Sequence, residues 1–72
     1  WAVKRDFYKD ILTENQMKIM DLIFDNSGIS KSVISQKLEL STTAIDKNIH
    51  KLRKIGLLTR YGSAFKGKWI IQ

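Results

Sequence analysis

Four polar side chains recur at spacings of three and four residues in the second half of the chain: Thr43, Lys47, His50 and Lys54. On a helix, at about 100° per residue, they share one face. A hydroxyl, an imidazole and two ammonium groups can donate hydrogen bonds to phosphate oxygens and to base edges. We call this set the donor stripe, and its spacing predicts a surface suited to a polyanion.

The side chains of this chain do not form a pattern typical of a catalytic or metal-binding site. His50 is the only histidine, and the chain has no cysteine. A zinc site would need carboxylates around one imidazole, which is a poor ligand set. The serines lie at positions typical of helix caps or loops, and no glycine-rich phosphate motif is present. The sequence therefore predicts a non-enzymatic chain with no metal and no cofactor.

The formal net charge of +6 belongs to one half of the chain. Residues 1–40 carry six basic and six acidic side chains, whereas residues 41–72 carry seven basic side chains and one acid, Asp46. Such a localised positive field is the usual footprint of a nucleic-acid partner. Asp46 can repel phosphate, accept from a cytosine amino group or pair with His50 or Arg53, and we favour pairing within the helix.

Local signals predict two helices ahead of the one that carries the donor stripe. Thr13 and Gln16 form a capping box, so the first of these helices begins at Thr13 and ends near Asn26. Ser30 is a good N-cap for a second helix over about residues 31–38.

The third predicted helix spans about residues 42–55 after the N-cap Ser41, and Gly56 follows its end. Ile45, Ile49 and Leu52 fall together on the face opposite the donor stripe. The wheel therefore predicts that this face is buried and that the donor stripe faces outward.

After Gly56 the pattern changes to two strands, residues 57–61 and 68–71, joined by a glycine-bounded loop at 62–67. We expect Trp69 in the core and Phe65 folded back onto the sheet, with the alternative that Phe65 is exposed and packs against nucleic acid or another protein. Three helices followed by a hairpin predict a mainly α fold with a small β-hairpin, a winged helix-turn-helix with a three-helix core plus a wing.

The predicted domain covers residues 12–72, and residues 1–11 form a lead-in or an extra helix. Val3, Phe7 and Ile11 recur every four residues there, so this segment either covers the domain or leads in from a preceding one. Because the chain begins at Trp1 rather than Met, we expect it to be a piece of a longer protein.

These elements predict binding of double-stranded DNA, with the third helix in the major groove and the wing on the backbone. Ser41 is a helix cap first and a phosphate contact second. The alternative is a winged helix that binds another protein, and RNA binding is a weaker reading because it would need exposed aromatic residues on a sheet. The candidate DNA-contacting residues are Ser41, Thr42, Thr43, Lys47, His50, Lys51, Lys54, Arg60, Lys66 and Lys68.

Several segments together resemble a known family: 12–16 (LTENQ), Ile29-Ser30, Leu40-Ser41, 56–58 (GLL) and Lys68-Trp69. They are similar to the winged helix-turn-helix at the C-terminus of bacterial and archaeal regulators that carry an N-terminal AlbA-type (Schlafen-like) ATP-binding domain, described as ATP-dependent DNA helicase-related. The resemblance implies sequence-specific DNA binding for transcriptional control. The family often has glycine in the turn where this chain has Glu39, which implies a local difference there.

The remaining predictions concern surroundings and partners. No disulfide framework is possible without cysteine, and no apolar run approaches the ~20 residues that cross a bilayer. We therefore expect a cytoplasmic protein with no membrane partner. A domain this small gains specificity by pairing, so we expect any homodimer to form through regions outside this chain.

Overall fold

Four helices and one β-hairpin follow each other in the part of the chain that the structure describes. The computed structural model describes residues 1–62 and 67–72. The elements are α1 (Ala2–Tyr8), α2 (Glu14–Asp25), α3 (Lys31–Leu38), α4 (Thr42–Lys54), β1 (Leu58–Tyr61) and β2 (Lys68–Ile71). Helices α2 to α4 form the three-helix core, α3 and α4 form the helix-turn-helix, and the hairpin forms the wing. This arrangement confirms the predicted winged helix-turn-helix fold.

Side-chain caps set the starts of the three core helices. The Thr13 hydroxyl accepts from the Gln16 backbone N–H at 3.2 Å, and the Gln16 side-chain amide oxygen accepts from the Thr13 backbone N–H at 3.0 Å. Ser30 and Ser41 cap α3 and α4 in the same way, each accepting a backbone N–H three residues further on. Each cap contributes about 1 kcal/mol to stability, and all three confirm the sequence prediction.

The ends of α3 and α4 share one geometry but use different residues. After α4, Gly56 has φ +80°, and the Leu57 N–H donates to the Leu52 carbonyl at 3.1 Å. After α3, Glu39 takes the left-handed conformation with φ 55° and ψ 40°, and the Leu40 N–H donates to the Ser35 carbonyl. Glu39 thus occupies a conformation that favours glycine, because a Cβ is strained there.

Replacing Glu39 by glycine is expected to raise the free energy of unfolding by about 0.5–1 kcal/mol, since relief of left-handed strain exceeds the extra backbone entropy lost on folding. Urea unfolding followed by circular dichroism measures the change. Gln36→Gly, at an exposed position inside α3, is the matched control and should lower stability by about 1 kcal/mol. Destabilisation by both substitutions would show that the left-handed strain is negligible.

One apolar core lies where α2, α3, α4 and the hairpin meet. The face of α4 predicted to be buried is buried, with Ile45 and Leu52 fully covered and Ile49 2% exposed. Opposite it pack residues of α2, α3 and the hairpin: Ile19, Met20, Ile23, Ile34, Leu58 and Trp69. This packing fixes which side of α4 is turned outward.

The hairpin is antiparallel and is tied to the segment before α3. Its register places Leu58 opposite Ile71 and Arg60 opposite Trp69. Trp69 donates its backbone N–H to the Ser27 carbonyl and its indole N–H to the Ile29 carbonyl, both at 2.8 Å. The burial of Trp69 confirms the prediction that it belongs to the core.

Helix α1 covers the domain with a different face from the one its apolar spacing suggests. Val3, Phe7 and Ile11 are 86%, 70% and 60% exposed. Instead, Trp1 and Tyr8 pack against the core, and Leu12 is buried in it. The predicted four-residue periodicity is present, but it marks the outer side of this helix.

Polar contacts hold α1 on α2. The carboxylate of Asp21 accepts from the Trp1 indole N–H at 2.8 Å and from the Arg5 Nε–H at 2.9 Å. Burial raises the pKa of Asp21, but the hydrogen bonds from Arg5 and Trp1 and the charge of Arg5 together outweigh it and lower the pKa. The hydrogen bond and charge of Asp21 in turn raise the pKa of Arg5.

Because folding lowers the pKa of Asp21, this attachment is complete above the ordinary aspartate pKa of about 4 and is lost as pH falls through the lowered value. Asp21→Asn is expected to weaken it at pH 7 by less than about 1 kcal/mol, since the pair is partly exposed. The indole N–H resonance of Trp1 reports the attachment. The difference from wild type should vanish in acid, and a pH-independent difference would contradict this assignment. Asp25→Asn on the same helix is the control.

Candidate nucleic-acid interface

The donor stripe lies on the outer face of α4. Thr43, Lys47, His50 and Lys54 are all exposed, and the neighbouring Lys51 is exposed as well. Ser41 and Thr42 are exposed at the start of the helix, where the Ser41 hydroxyl accepts the Ala44 N–H at 3.1 Å. The structure therefore brings seven of the ten candidate residues onto one helix and its cap.

Asn48, which sequence reasoning did not single out, fixes α4 against α2. Its amide oxygen accepts from the Gln16 side-chain amide at 3.2 Å, and its Nδ2–H donates to the Ala44 carbonyl at 2.9 Å. Gln16 is also the second member of the α2 capping box. One buried glutamine thus caps the start of α2 and also helps to fix the orientation of α4. A polar residue one turn after Ala44 and beside the core face is the only sequence signal for this contact.

Asp46 pairs between helices rather than within α4. Its carboxylate lies 2.7 Å from the ammonium nitrogen of Lys31, the first residue of α3. The prediction that Asp46 pairs with His50 or Arg53 within the helix is therefore wrong. The physical reason is that α3 and α4 pack against each other, which brings Lys31 alongside Asp46. The pairing offsets the one negative charge beside the donor stripe.

The basic residues of the hairpin point to two different sides. Arg60 lies opposite Trp69 on the inner face, and its guanidinium carbon is 4.4 Å from the Trp69 ring centroid. Lys68 is exposed on the other face, opposite Tyr61. Lys68 can therefore contact a partner outside the sheet, while Arg60 faces inward.

Part of the predicted wing lies outside the described residues. Lys66 belongs to this part, as does Phe65 with its expected packing onto the sheet. Of the loop 62–67, Gly62 and Gly67 are described, and Gly62 has φ +86°. The expected contact of the wing with a DNA backbone thus stays a prediction.

An open groove of about 630 Å³ joins α4 to the hairpin. It is lined by His50, Arg53, Lys54, Leu58 and Thr59. Two donor-stripe residues therefore form one wall and β1 forms the other. This groove places Arg53 beside the donor stripe on the side that faces the hairpin.

The residues that the structure describes contain neither a metal-site cluster nor a membrane-spanning helix. Within residues 1–62 and 67–72, no three histidine, cysteine or acidic side chains are close enough to hold a metal ion. In the same ranges, no helix is long and apolar enough to span a bilayer. Within these residues, the exposed cationic face of α4 is the feature that needs a functional explanation.

Comparison with known proteins identifies a helix-turn-helix family and a curated relative. The family UPF0122, described as "Putative helix-turn-helix protein, YlxM / p13 like", matches residues 3–66. The xylose repressor of Staphylococcus xylosus is 35% identical over 52 residues, which are 72% of this chain and 14% of the repressor. The chain thus spans about one seventh of the length of this relative. No solved structure matches the chain significantly.

Proposed function

This chain belongs to the UPF0122 family of YlxM/p13-like helix-turn-helix proteins, and we propose that it binds double-stranded DNA as the recognition module of a transcriptional regulator. The observation that carries the proposal is the outward donor stripe on α4, the second helix of the helix-turn-helix. All of the net positive charge of the chain lies in the half that contains this helix. The name of the related xylose repressor supports the same role.

The proposed docking places α4 in the major groove, which admits a single α-helix. Base edges are then read from the N-terminal part of the helix, where Thr42 and Thr43 lie, and from Lys47 and His50 further along. The backbone N–H groups near Ser41 favour a phosphate. Lys51 and Lys54, further along the helix, contact the DNA backbone.

The hairpin extends this interface toward the adjacent backbone. Lys68 projects from the outer face of β2, and Lys66 lies in the neighbouring loop, so both are proposed phosphate contacts. Arg60 has a different role, since it lies over Trp69 on the inner face. We therefore propose that it supports the wing and does not contact DNA from the outer face of the hairpin.

The whole protein is proposed to be a non-enzymatic regulator in which this domain supplies DNA recognition. The name of the xylose repressor favours repression over activation. An N-terminal AlbA-type domain, a homodimer formed outside these residues and a cytoplasmic location stay predictions. The coding sequence upstream of Trp1 tests the first of them.

Selection from a random duplex pool tests the proposed function. At low ionic strength, repeated binding and amplification should enrich a motif of a few base pairs. The variant Lys47→Ala/His50→Ala should enrich a different or weaker motif, because both side chains face the proposed groove. Lys4→Ala/Lys37→Ala removes two exposed lysines elsewhere and should preserve the motif. A selected pool that keeps the composition of the input would contradict sequence-specific recognition and favour a protein partner for this fold.

A further inference from the structure

A second cationic feature lies beside the donor stripe but does not include it. A cavity of about 370 Å³ opens between the start of α3, the C-terminal half of α4 and the inner face of the hairpin. It is lined by Ser30, Lys31, Arg53, Arg60, Gly62 and Trp69. None of these residues belongs to the donor stripe.

Three positive side chains from three different elements line this cavity. Lys31 comes from α3, Arg53 from α4 and Arg60 from β1. In the described part of the chain, the carboxylate paired with this group is that of Asp46, which lies 2.7 Å from the Lys31 ammonium. One negative charge against three positive ones leaves the cavity strongly attractive to an anion.

The cavity is preorganised on its sheet side. The Arg60 guanidinium lies over the Trp69 ring at 4.4 Å, and the Trp69 indole N–H donates to the Ile29 carbonyl at 2.8 Å. The ring therefore holds the Arg60 guanidinium at the edge of the cavity. Arginine side chains carry parallel N–H groups, a geometry that matches phosphate better than a lone ammonium does, and two of the three cations here are arginines.

We propose that this cavity binds a phosphate group, supplied either by the backbone of a bound DNA duplex or by a small phosphorylated ligand. Its volume lies at the lower end of the ~300–1,000 Å³ that is usual for ligand sites, which suits one or two phosphates. Arg53 and Arg60 bind the oxyanion, and Lys31 turns from Asp46 toward it. Because the donor stripe is separate from the cavity, the phosphate site could be disproved without affecting the proposal that α4 binds DNA.

Titration with inorganic pyrophosphate, at ionic strength held constant with potassium chloride, tests the site. The indole N–H resonance of Trp69 and the backbone resonances of Ser30 and Lys31 should shift saturably. Arg53→Gln should weaken pyrophosphate binding by about tenfold or more, the range for loss of a hydrogen bond to a charged group. Asp46→Asn should tighten it, since the competing carboxylate is removed. Lys4→Gln, the same loss of charge on α1, should change nothing.

Competition with duplex DNA distinguishes the two phosphate sources. If the backbone supplies the phosphate, pyrophosphate lowers DNA affinity beyond the effect of equal ionic strength, and Arg53→Gln weakens DNA binding. If a small ligand supplies it, pyrophosphate and DNA bind together, and Arg53→Gln leaves DNA affinity as in Lys4→Gln. Unfolding curves must show that each variant is folded. Absence of a saturable shift at Trp69, or equal pyrophosphate affinity in Arg53→Gln and Lys4→Gln, would overturn the proposal.

Discussion

Replacing Ile49 by alanine is expected to lower the free energy of unfolding by about 2–5 kcal/mol. Ile49 is 2% exposed and lies at the centre of the α4 face that packs on the core. The substitution removes buried methyl and methylene groups and leaves a cavity that the surrounding helices fill only in part. Because a small domain has about 5–15 kcal/mol of total stability, the loss is a large part of it.

Urea unfolding, followed by circular dichroism and by tryptophan fluorescence in the same samples, measures this change. His50→Ala is the matched control, since it alters the next residue of the same helix on the exposed side. Its effect should stay within about 0.5 kcal/mol. A larger loss for His50→Ala than for Ile49→Ala would show that α4 is rotated from the orientation described above.

Replacing Lys47 by alanine is expected to weaken binding to duplex DNA by about tenfold, without a measurable change in unfolding. Lys47 is exposed in the middle of the donor stripe, so its loss removes one charge-assisted hydrogen bond from the proposed interface and nothing from the core. Fluorescence anisotropy of a labelled duplex measures the affinity.

Lys4→Ala is the control for Lys47→Ala, because it removes the same charge from the exposed side of α1. If net charge alone governs binding, the two variants weaken it equally. If α4 contacts DNA, Lys47→Ala weakens DNA binding more than Lys4→Ala does. Equal losses would therefore contradict the assignment of α4 as the recognition helix.

The features that could be predicted from sequence are the local ones. The capping box at Thr13 and Gln16, the serine caps, Gly56 and the inner face of α4 each depend on residues a few positions apart. Hydrogen-bond geometry and helical periodicity are enough to place them. The outward position of the donor stripe follows directly, because it is the reverse of the core face.

The features that could not be predicted depend on how the elements pack. Asp46 meets Lys31 and Asn48 meets Gln16 across distances of 15 and 32 residues, and no short-range pattern specifies either contact. The spacing of Val3, Phe7 and Ile11 left the packed face of α1 open for a related reason. An apolar spacing shows that a helix has a face, but here Trp1 and Tyr8 supply the contacts that bind α1 to the core.

Arg60 is an intermediate case. It shares the strand parity of the buried Leu58, so the two-residue period of β1 places both on the inner face. That signal was available in the sequence, but positive charge alone suggested an outward contact. Its stacking on Trp69 shows that the parity of a strand is a better guide to direction than the charge of one residue.

The most direct test of DNA binding by the outer face of α4 is the salt dependence of affinity for a mixed-sequence duplex. Each phosphate neutralised by lysine contributes about −0.9 to the slope of log K against log salt concentration. The proposed phosphate contacts Lys51, Lys54, Lys66 and Lys68 predict a slope of about −4, reduced by about one in Lys51→Ala and unchanged in Lys4→Ala. No salt-sensitive binding at low ionic strength, or the same slope in both variants, would contradict DNA binding by the outer face of α4.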